Sequence, residues 1–199
     1  MKQLLLATRN NNKKLELQEL LAGLPVQILT LDAFPHLPEV EEDGSTFAEN
    51  AAKKARVNAA MSGTVCLADD SGLVVEALNG QPGVYSARFS GPHGDDESNN
   101  HKLLQMMEDL AEDTRGARFA CVIAIATPEG KIATVEGICP GSIIREPRGR
   151  GGFGYDPLFV PEGFSLTFAE LTPAEKNRIS HRARALAKAR PLIEEILSL

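Results

Sequence analysis

Long apolar runs are missing from this chain of 199 residues, and aromatic residues are scarce: tryptophan is absent and only two tyrosines occur. No stretch approaches the roughly 20 consecutive apolar residues that cross a bilayer, so a transmembrane helix is not expected. The apolar run at residues 4–7 is also too short for the central region of a signal peptide. We therefore expect a cytoplasmic protein.

Cysteines and positive charge are also in short supply. The three cysteines, at positions 66, 121 and 139, lie far apart and show no metal-binding spacing. An odd number of distant cysteines fits reduced, buried thiols. The 21 basic residues are outnumbered by 27 acidic ones, for a net charge of −6. A nucleic-acid-binding module is therefore disfavoured, because such proteins present a basic surface.

The remaining composition is that of an ordinary globular domain, with 43% hydrophobic and 24% charged residues, and we expect a single domain over residues 1–199. Apolar periodicity predicts alternating strands and helices, a long hairpin and a carboxyl-terminal helical region. The pattern favours an α/β fold, with a long mixed β-sheet and flanking helices that form two lobes around a central cleft. The strands are predicted at 4–7, 26–31, 64–68, 73–78, 118–127 and 131–138, and the helices at 12–21, 46–61, 95–110 and 172–197.

Two adjacent aspartates, Asp69 and Asp70, follow an apolar run and precede Ser71 and Gly72. The pattern predicts that a strand ends here in a tight turn. Neighbouring side chains on a strand point to opposite faces, so one carboxylate of the pair can face a common site. The carboxyl end of a strand is also where α/β sheets usually bind ligands. A solvated turn explains the residues about equally well.

The segment Thr8–Lys13 joins the first predicted strand to the first helix. Such a junction presents backbone N–H groups at the positive end of the helix dipole, which is a ready anion site. Lys13 adds a charge for a phosphate group. The alternative is a capped helix start with a solvated lysine. The segment lacks the glycines of a Walker P-loop, so an ATPase of that class is not expected.

An acidic loop precedes the capping box formed by Thr46 and Glu49. Carboxylates ahead of a helix are stabilised by its dipole, so this loop has a structural explanation. It also has a functional one, because Mg²⁺ is held by one or two carboxylates together with substrate phosphates and water. A glutamate of this loop opposite Asp70 would supply that minimal site.

Two later blocks combine glycines, aromatic rings and charge. Residues 151–156 allow close backbone approach and carry Phe153 and Tyr155, which fits a nucleobase pocket, although the rings can equally be packing anchors. Residues 176–182 are basic and follow a capping box at Thr172. In one unbroken helix this run forms a solvated face, whereas a break at Ser180 lets Lys176, His181 and Arg182 converge.

In their order along the chain, these blocks resemble the inosine triphosphate pyrophosphatase family, whose members hydrolyse non-canonical purine nucleoside triphosphates. The resemblance covers nearly the whole chain, and it is the collinear set of blocks that makes it specific. The matching residues are Thr8, Asn10 and Lys13; Thr46, Phe47, Glu49 and Asn50; Asp69 to Leu73; Pro82 to Arg88; Gly152 to Pro157; Glu175 to Asn177; and Ser180 to Arg182.

The resemblance implies site residues. Asp70 would accept a proton from the attacking water, and Glu42 and Asp70 would bind Mg²⁺. The choice of Glu42 over Glu41 follows from its spacing to Thr46. Contacts to the nucleotide would come from the amino-terminal segment, chiefly to phosphates, and from later residues, chiefly near the base: Thr8, Arg9, Asn10, Asn11, Asn12, Lys13, Ser71, Phe153, Gly154, Tyr155, Asp156, Lys176, His181 and Arg182.

The implied reaction is attack of water on the α-phosphorus of ITP, dITP or XTP, which yields the monophosphate and pyrophosphate. Mg²⁺ and lysines would neutralise the leaving group, while a carboxylate orients the water. Donors to the purine O6, for which Arg182 and backbone N–H groups near Asp156 are candidates, would reject adenine. The family resemblance also implies a homodimer with a small-molecule substrate and no nucleic-acid or membrane partner.

Two other interpretations stay open at the level of sequence. A nucleotide pyrophosphatase of the Maf type, acting on dTTP or UTP, has the same broad architecture, although the blocks at 152–157 and 180–182 favour the purine family. A nucleotide-binding sensor without turnover would have little need for Asp70, Glu42 and the lysines together.

Overall fold

The computed structural model describes residues 1–92 and 95–199, and its six strands form one mixed sheet. The strand order is β2-β1-β3-β4-β5-β6. Strand β1 pairs in parallel with β2 and β3, whereas β5 pairs antiparallel with β6. The predicted α/β class with a mixed sheet is confirmed. The strands are β1 Lys2–Leu6, β2 Val26–Thr30, β3 Cys66–Val75, β4 Gly116–Ala126, β5 Ile132–Ile143 and β6 Phe159–Pro161.

Five α-helices accompany the sheet in the described part of the chain, and two of them begin at the caps that the sequence predicts. Thr46 and Glu49 form a reciprocal capping box on the second helix, and Thr172 and Glu175 form another on the fourth. Each box satisfies two backbone N–H groups that a helix start leaves without partners. The helices are α1 Asn11–Leu20, α2 Phe47–Ser62, α3 Asp96–Met106, α4 Pro173–Ile179 and α5 His181–Leu197. None of them is long and apolar enough to cross a membrane.

One compact unit comprises Met1–Asp70, Cys121–Gly137 and Arg182–Leu199. Strand β1 is buried on both faces from Leu4 to Leu6, so alternate side chains enter two separate cores. On β1, Leu4 and Leu6 pack in the core that contains the apolar side chains of α5, while Leu5 packs in the core that contains the alanines of α2. This double burial explains why the predicted strand at residues 4–7 is continuously apolar.

The second compact unit comprises Ser71–Ala120 and Ile138–His181. Its core contains Phe119, Phe159 and Phe168, whose rings contact one another at centroid distances of 4.7–5.7 Å. The buried guanidinium of Arg115 donates hydrogen bonds to backbone carbonyls, among them that of Ile143 at 2.8 Å. Three of the eight phenylalanines of the chain form this ring cluster.

The predicted tight turn at Asp69–Gly72 is wrong, as is a separate strand at 73–78. Strand β3 runs without interruption from Cys66 to Val75, and residues 76–78 form a short 3-10 helix. A Cβ on Gly72 would lie 2.4 Å from the Ser86 Oγ, and the same oxygen accepts a hydrogen bond from the Leu73 N–H at 3.0 Å. The glycine is therefore needed for close packing rather than for a turn.

The basic carboxyl-terminal run does break at Ser180, as the second of the two alternatives requires. Helix α4 ends at Ile179, α5 begins at His181, and Ser180 between them has extended backbone with φ −65° and ψ 157°. The break leaves the basic residues on two separate helices.

Candidate active site on strand β3

Asp69 is fully buried at the centre of a charged cluster. Its Oδ2 atom lies 3.3 Å from the Arg182 Nη2 and 3.4 Å from the Lys13 Nζ, and Arg182 also pairs with Glu16. Burial favours the protonated acid, but the positive charges of Lys13, Arg182 and Lys54 outweigh it and hold the pKa of Asp69 well below its usual range. Asp69 is therefore a permanent anion that orients the surrounding cations.

Asp70 has the opposite electrostatic character, although it is the next residue on the same strand. Burial raises its pKa above the usual value, and the neighbouring carboxylate of Glu42 raises it further, against the opposing charges of Lys54 and Lys13. The Asn50 amide donates a hydrogen bond to the Asp70 Oδ2 at 3.0 Å and fixes its orientation. A raised pKa in a held carboxylate suits a group that accepts a proton.

Lys54 on α2 connects the acidic loop to the aspartates. Its ammonium group pairs with the Glu42 carboxylate and donates to the Asp69 backbone carbonyl at 2.6 Å. Burial lowers its pKa, but the charges of Asp69, Glu42 and Asp70 outweigh burial and leave the pKa raised, so Lys54 stays protonated. The lysine places the Glu42 carboxylate close to Asp70.

Sequence reasoning assigned no role to Asn50, Lys54 or Glu16, although all three hold the charged cluster together. A signal was present for the first two. Asn50 and Lys54 lie four residues apart on α2 and so share one helix face, which begins directly after the acidic loop. Glu16 lies three residues after Lys13 on α1, also on a shared face. Polar residues on a helix are usually expected to face solvent, so the sequence pattern did not indicate that these three face inward.

The segment Thr8–Lys13 is a capped helix start, as the structural alternative predicts, but its lysine is not the solvated one that this alternative also predicts. The Asn10 side chain caps α1 by accepting a hydrogen bond from the Lys13 N–H at 3.1 Å, and the Thr8 hydroxyl accepts from the Asn10 N–H at 3.2 Å. The Arg9 guanidinium donates to a carbonyl of the acidic loop, that of Leu37, at 3.1 Å. Lys13 is not solvated, as its side chain is 15% exposed and pairs with Asp69. Four residues of the segment are exposed: Arg9, Asn10, Asn11 and Asn12.

The carboxylates here fit a divalent ion that is shared with a substrate, not one enclosed by protein. Among residues 1–92 and 95–199, no group of three or more histidine, cysteine or acidic side chains has metal-binding geometry. Mg²⁺ needs fewer, because phosphate oxygens and water complete its shell. Glu42 is partly buried and near Asp70, whereas Glu41 is exposed. The buried Asp69 Oδ1 has no hydrogen-bond partner among these residues, so the cluster also has spare acceptor capacity.

In the second unit, Asp156 and Lys176 form a buried ion pair, with the Nζ 2.6 Å from the Oδ2. The same carboxylate oxygen accepts a hydrogen bond from the Phe153 N–H at 3.1 Å. The Lys176 ammonium lies 4.9 Å from the centre of the Phe153 ring and 5.5 Å from that of Phe168. This arrangement fixes a ring and a charge in the glycine-rich block predicted to contact a base.

Tyr155 is a packing anchor, as one of the two sequence interpretations held. It is buried, and its hydroxyl donates to the Ser86 backbone carbonyl at 2.7 Å. His181 is buried too, and it stacks on Phe119 at a centroid distance of 4.7 Å. Lys176 and His181 share Phe168 as a neighbour, whereas Arg182 forms ion pairs with Asp69 and Glu16. Ser71 follows the aspartates on β3 and is partly buried.

Fold and site together define an α/β protein in which two adjacent aspartates of a central strand meet lysines and an acidic loop. Comparison with known proteins makes the assignment specific. Residues 4–192 match the model of the Ham1 family, and the chain belongs to that family.

The relatives are similar over almost their whole length. The chain is 54% identical to a dITP/XTP pyrophosphatase of Desulforamulus reducens, covering 98% of this chain and 96% of that one. It is 50% identical to a dITP/XTP pyrophosphatase of Streptomyces coelicolor, covering 99% and 100%. The solved structure of a HAM1 protein from Coxiella burnetii superposes with a TM-score of 0.89 at 43% identity, covering 98% of this chain and 100% of that protein.

Proposed function

We propose that this protein hydrolyses the purine nucleoside triphosphates ITP, dITP and XTP to the monophosphate and pyrophosphate, and so removes them from the nucleotide pool. One observation carries the chemistry: Asp69 and Asp70 are adjacent on β3, yet their pKa values shift in opposite directions. One carboxylate is thereby a fixed anion and the other a proton acceptor. The names of the relatives, dITP/XTP pyrophosphatase, support the substrate class.

In this proposal Asp70 accepts the proton of a water molecule that attacks the α-phosphorus. The hydrogen bond from Asn50 holds its carboxylate in place for that transfer. Glu42 and Asp70 would hold a divalent ion, Mg²⁺, which supplies charge neutralisation at the phosphates when it is bound. Lys13 and Lys54 lie beside the aspartates, and their positive charges stabilise the negative charge that grows on the leaving pyrophosphate.

The remaining predicted residues are proposed to bind the nucleotide. The capped start of α1 offers backbone N–H groups and Lys13 to phosphates. Phe153 and the fixed Lys176 offer a ring face and a charge to the base, and Tyr155 contributes through its backbone because its ring is buried. The preference for a 6-keto purine is proposed to depend on donors from Arg182 and from the backbone near Asp156. The full nucleotide-binding set is Thr8 to Lys13, Ser71, Phe153 to Asp156, Lys176, His181 and Arg182.

We also propose a cytoplasmic homodimer with no nucleic-acid partner. The three cysteines are free and buried thiols, which fits a reducing compartment. The net charge of −6 opposes binding to a polyanion. Light scattering after size exclusion gives the oligomeric state directly, and a monomer at micromolar concentration would contradict the dimer.

A substrate panel tests the proposal. Purified protein is incubated with ITP, dITP, XTP, ATP, GTP, dTTP and UTP, with and without Mg²⁺, and pyrophosphate and inorganic phosphate are assayed separately. We expect pyrophosphate from the first three alone, and only with the metal. Preference for dTTP or UTP would indicate a Maf-type activity instead. Tight ITP binding without any product would indicate a sensor, and release of inorganic phosphate would exclude attack at the α-phosphorus.

A further inference from the structure

Two side chains of α3 hold the backbone of Gly154, in the middle of the glycine-rich block. The Asp96 carboxylate accepts a hydrogen bond from the Gly154 N–H at 2.7 Å, and the Asn100 amide donates one to the Gly154 carbonyl at 3.0 Å. Asp96 and Asn100 lie one helical turn apart on the same face, so they contact both polar groups of one residue. Neither belongs to the sequence blocks assigned to substrate binding.

We propose that Asp96 and Asn100 are positioning residues for the nucleobase. By fixing Gly154, they set where the Phe153 ring and the backbone of residues 153–156 meet a purine. The inference rests on the proposed function, because contact between this segment and the base is part of that function. Both side chains act through Gly154 and need not touch the substrate.

The segment needs such support because of its backbone freedom. Gly152 and Gly154 have φ values of +69° and +61°, in the left-handed region that glycine adopts readily, and Gly151 precedes them. Ordering glycine-rich backbone costs more conformational entropy than ordering other residues. If the segment is already ordered in the free protein, ligand binding does not have to order it, and the affinity for the ligand is higher.

Contacts already described hold only part of the segment. Asp156 accepts a hydrogen bond from the Phe153 N–H and pairs with Lys176. These contacts do not involve the N–H and carbonyl of Gly154, which form hydrogen bonds with side chains of α3. A surface groove of about 760 Å³ is bordered by the first turns of α3 and by residues 150–154. Packing therefore does not fill the space beside the segment, and two hydrogen bonds link Gly154 to α3 across it.

The test separates base recognition from phosphate recognition. Asp96→Ala and Asn100→Ala should each raise the KM for ITP and the inhibition constant of IMP roughly 3–10-fold, the range for loss of one hydrogen bond. Turnover at saturation should change little. The inhibition constant of tripolyphosphate, which has no base, should stay unchanged. Asp96→Asn keeps an acceptor oxygen and should restore the values of the wild type.

Glu97→Gln is the matched control, since it alters another carboxylate in the same helical turn that also borders the groove. It should leave all constants unchanged. If the KM for ITP and the inhibition constant of IMP are unaltered in both alanine variants, the inference is overturned. The proposed function still stands in that case, provided that the wild type hydrolyses ITP. Equal weakening of IMP and tripolyphosphate would also overturn it. If one alanine variant does not fold, the other variant tests the inference. A wild-type protein that is inactive on ITP would overturn both the proposed function and the inference.

Discussion

At the scale of single residues, Asp70 is the group on which turnover depends. Asp70→Asn should lower the rate about 10²–10⁴-fold, the usual contribution of a positioned base. The fold should survive, because asparagine can still accept the hydrogen bond from Asn50 and no longer carries the charge that burial disfavours. Steady-state kinetics and circular dichroism measure both effects. Near-wild-type turnover would remove Asp70 from the mechanism.

Asp69 should matter for stability as well as for activity. Asp69→Asn deprives the buried Arg182 of one partner, and breaking a buried pair costs about 3–5 kcal/mol. The folded-state pKa of Asp69 is lowered, so its contribution is complete above the unfolded-state pKa of about 4 and is lost as the pH falls from there towards the lowered value.

Urea unfolding of the wild type and Asp69→Asn from pH 8 down to pH 3 measures this dependence. The difference in unfolding free energy should be constant above about pH 5 and should shrink below about pH 4. Asp43→Asn is the control, because its carboxylate is exposed and pairs with Lys53, whose side chain is exposed as well. A difference that grows at low pH would contradict the ionised state of Asp69.

At the scale of elements, the conformation of residues 152–156 requires glycine at position 152, because a side chain there would clash. A Cβ on Gly152 would lie 2.0 Å from the Asp156 Oδ2, the atom that pairs with Lys176. Gly152→Ala should therefore displace that carboxylate and raise the KM for ITP in addition to destabilising the protein. Gly163→Ala is the matched control, because Gly163 has a similar positive φ but open space around it. Equal effects of both variants on KM would contradict the clash.

Helix starts could be predicted from sequence far better than the course of β3. The capping boxes at Thr46 and Thr172 are local patterns, and the structure confirms both. The residues Asp69 to Gly72 have turn propensity, but their conformation is decided by Ser86, which lies beyond any local window and pairs with the Leu73 N–H. Tertiary contact thus overrode local preference, and the sequence alone could not reveal it.

At the scale of the whole molecule, turnover and folding should respond differently to removal of divalent ions. The charged cluster is held by Lys54 and Arg182, so the fold does not need a metal to offset its carboxylates. A chelator should abolish pyrophosphate release from ITP and shift the midpoint of thermal unfolding little. Readdition of Mg²⁺ should restore the rate. Unfolding caused by the chelator would contradict this independence.

Family resemblance across nearly the whole sequence predicted the fold class and which blocks carry polar chemistry, while the contacts within the candidate site came from the structure. Lys13 was predicted as a phosphate ligand, but its pairing with Asp69 depends on two residues 56 positions apart in sequence. The ion pair between Arg182 and Glu16 likewise joins residues that are far apart in sequence. Such pairs follow from strand order and helix packing, which no local pattern of residue types encodes.

The ion pairs of Arg182 also bear on biosynthesis. Glu16 and Asp69 are synthesised before Arg182, so the trio cannot assemble until residue 182 has left the ribosomal tunnel. A nascent polypeptide thus carries Asp69 without its guanidinium partner. Hydrolytic competence would then arise only after residue 182 has emerged, and products terminated before that residue would remain inert towards cellular nucleotides.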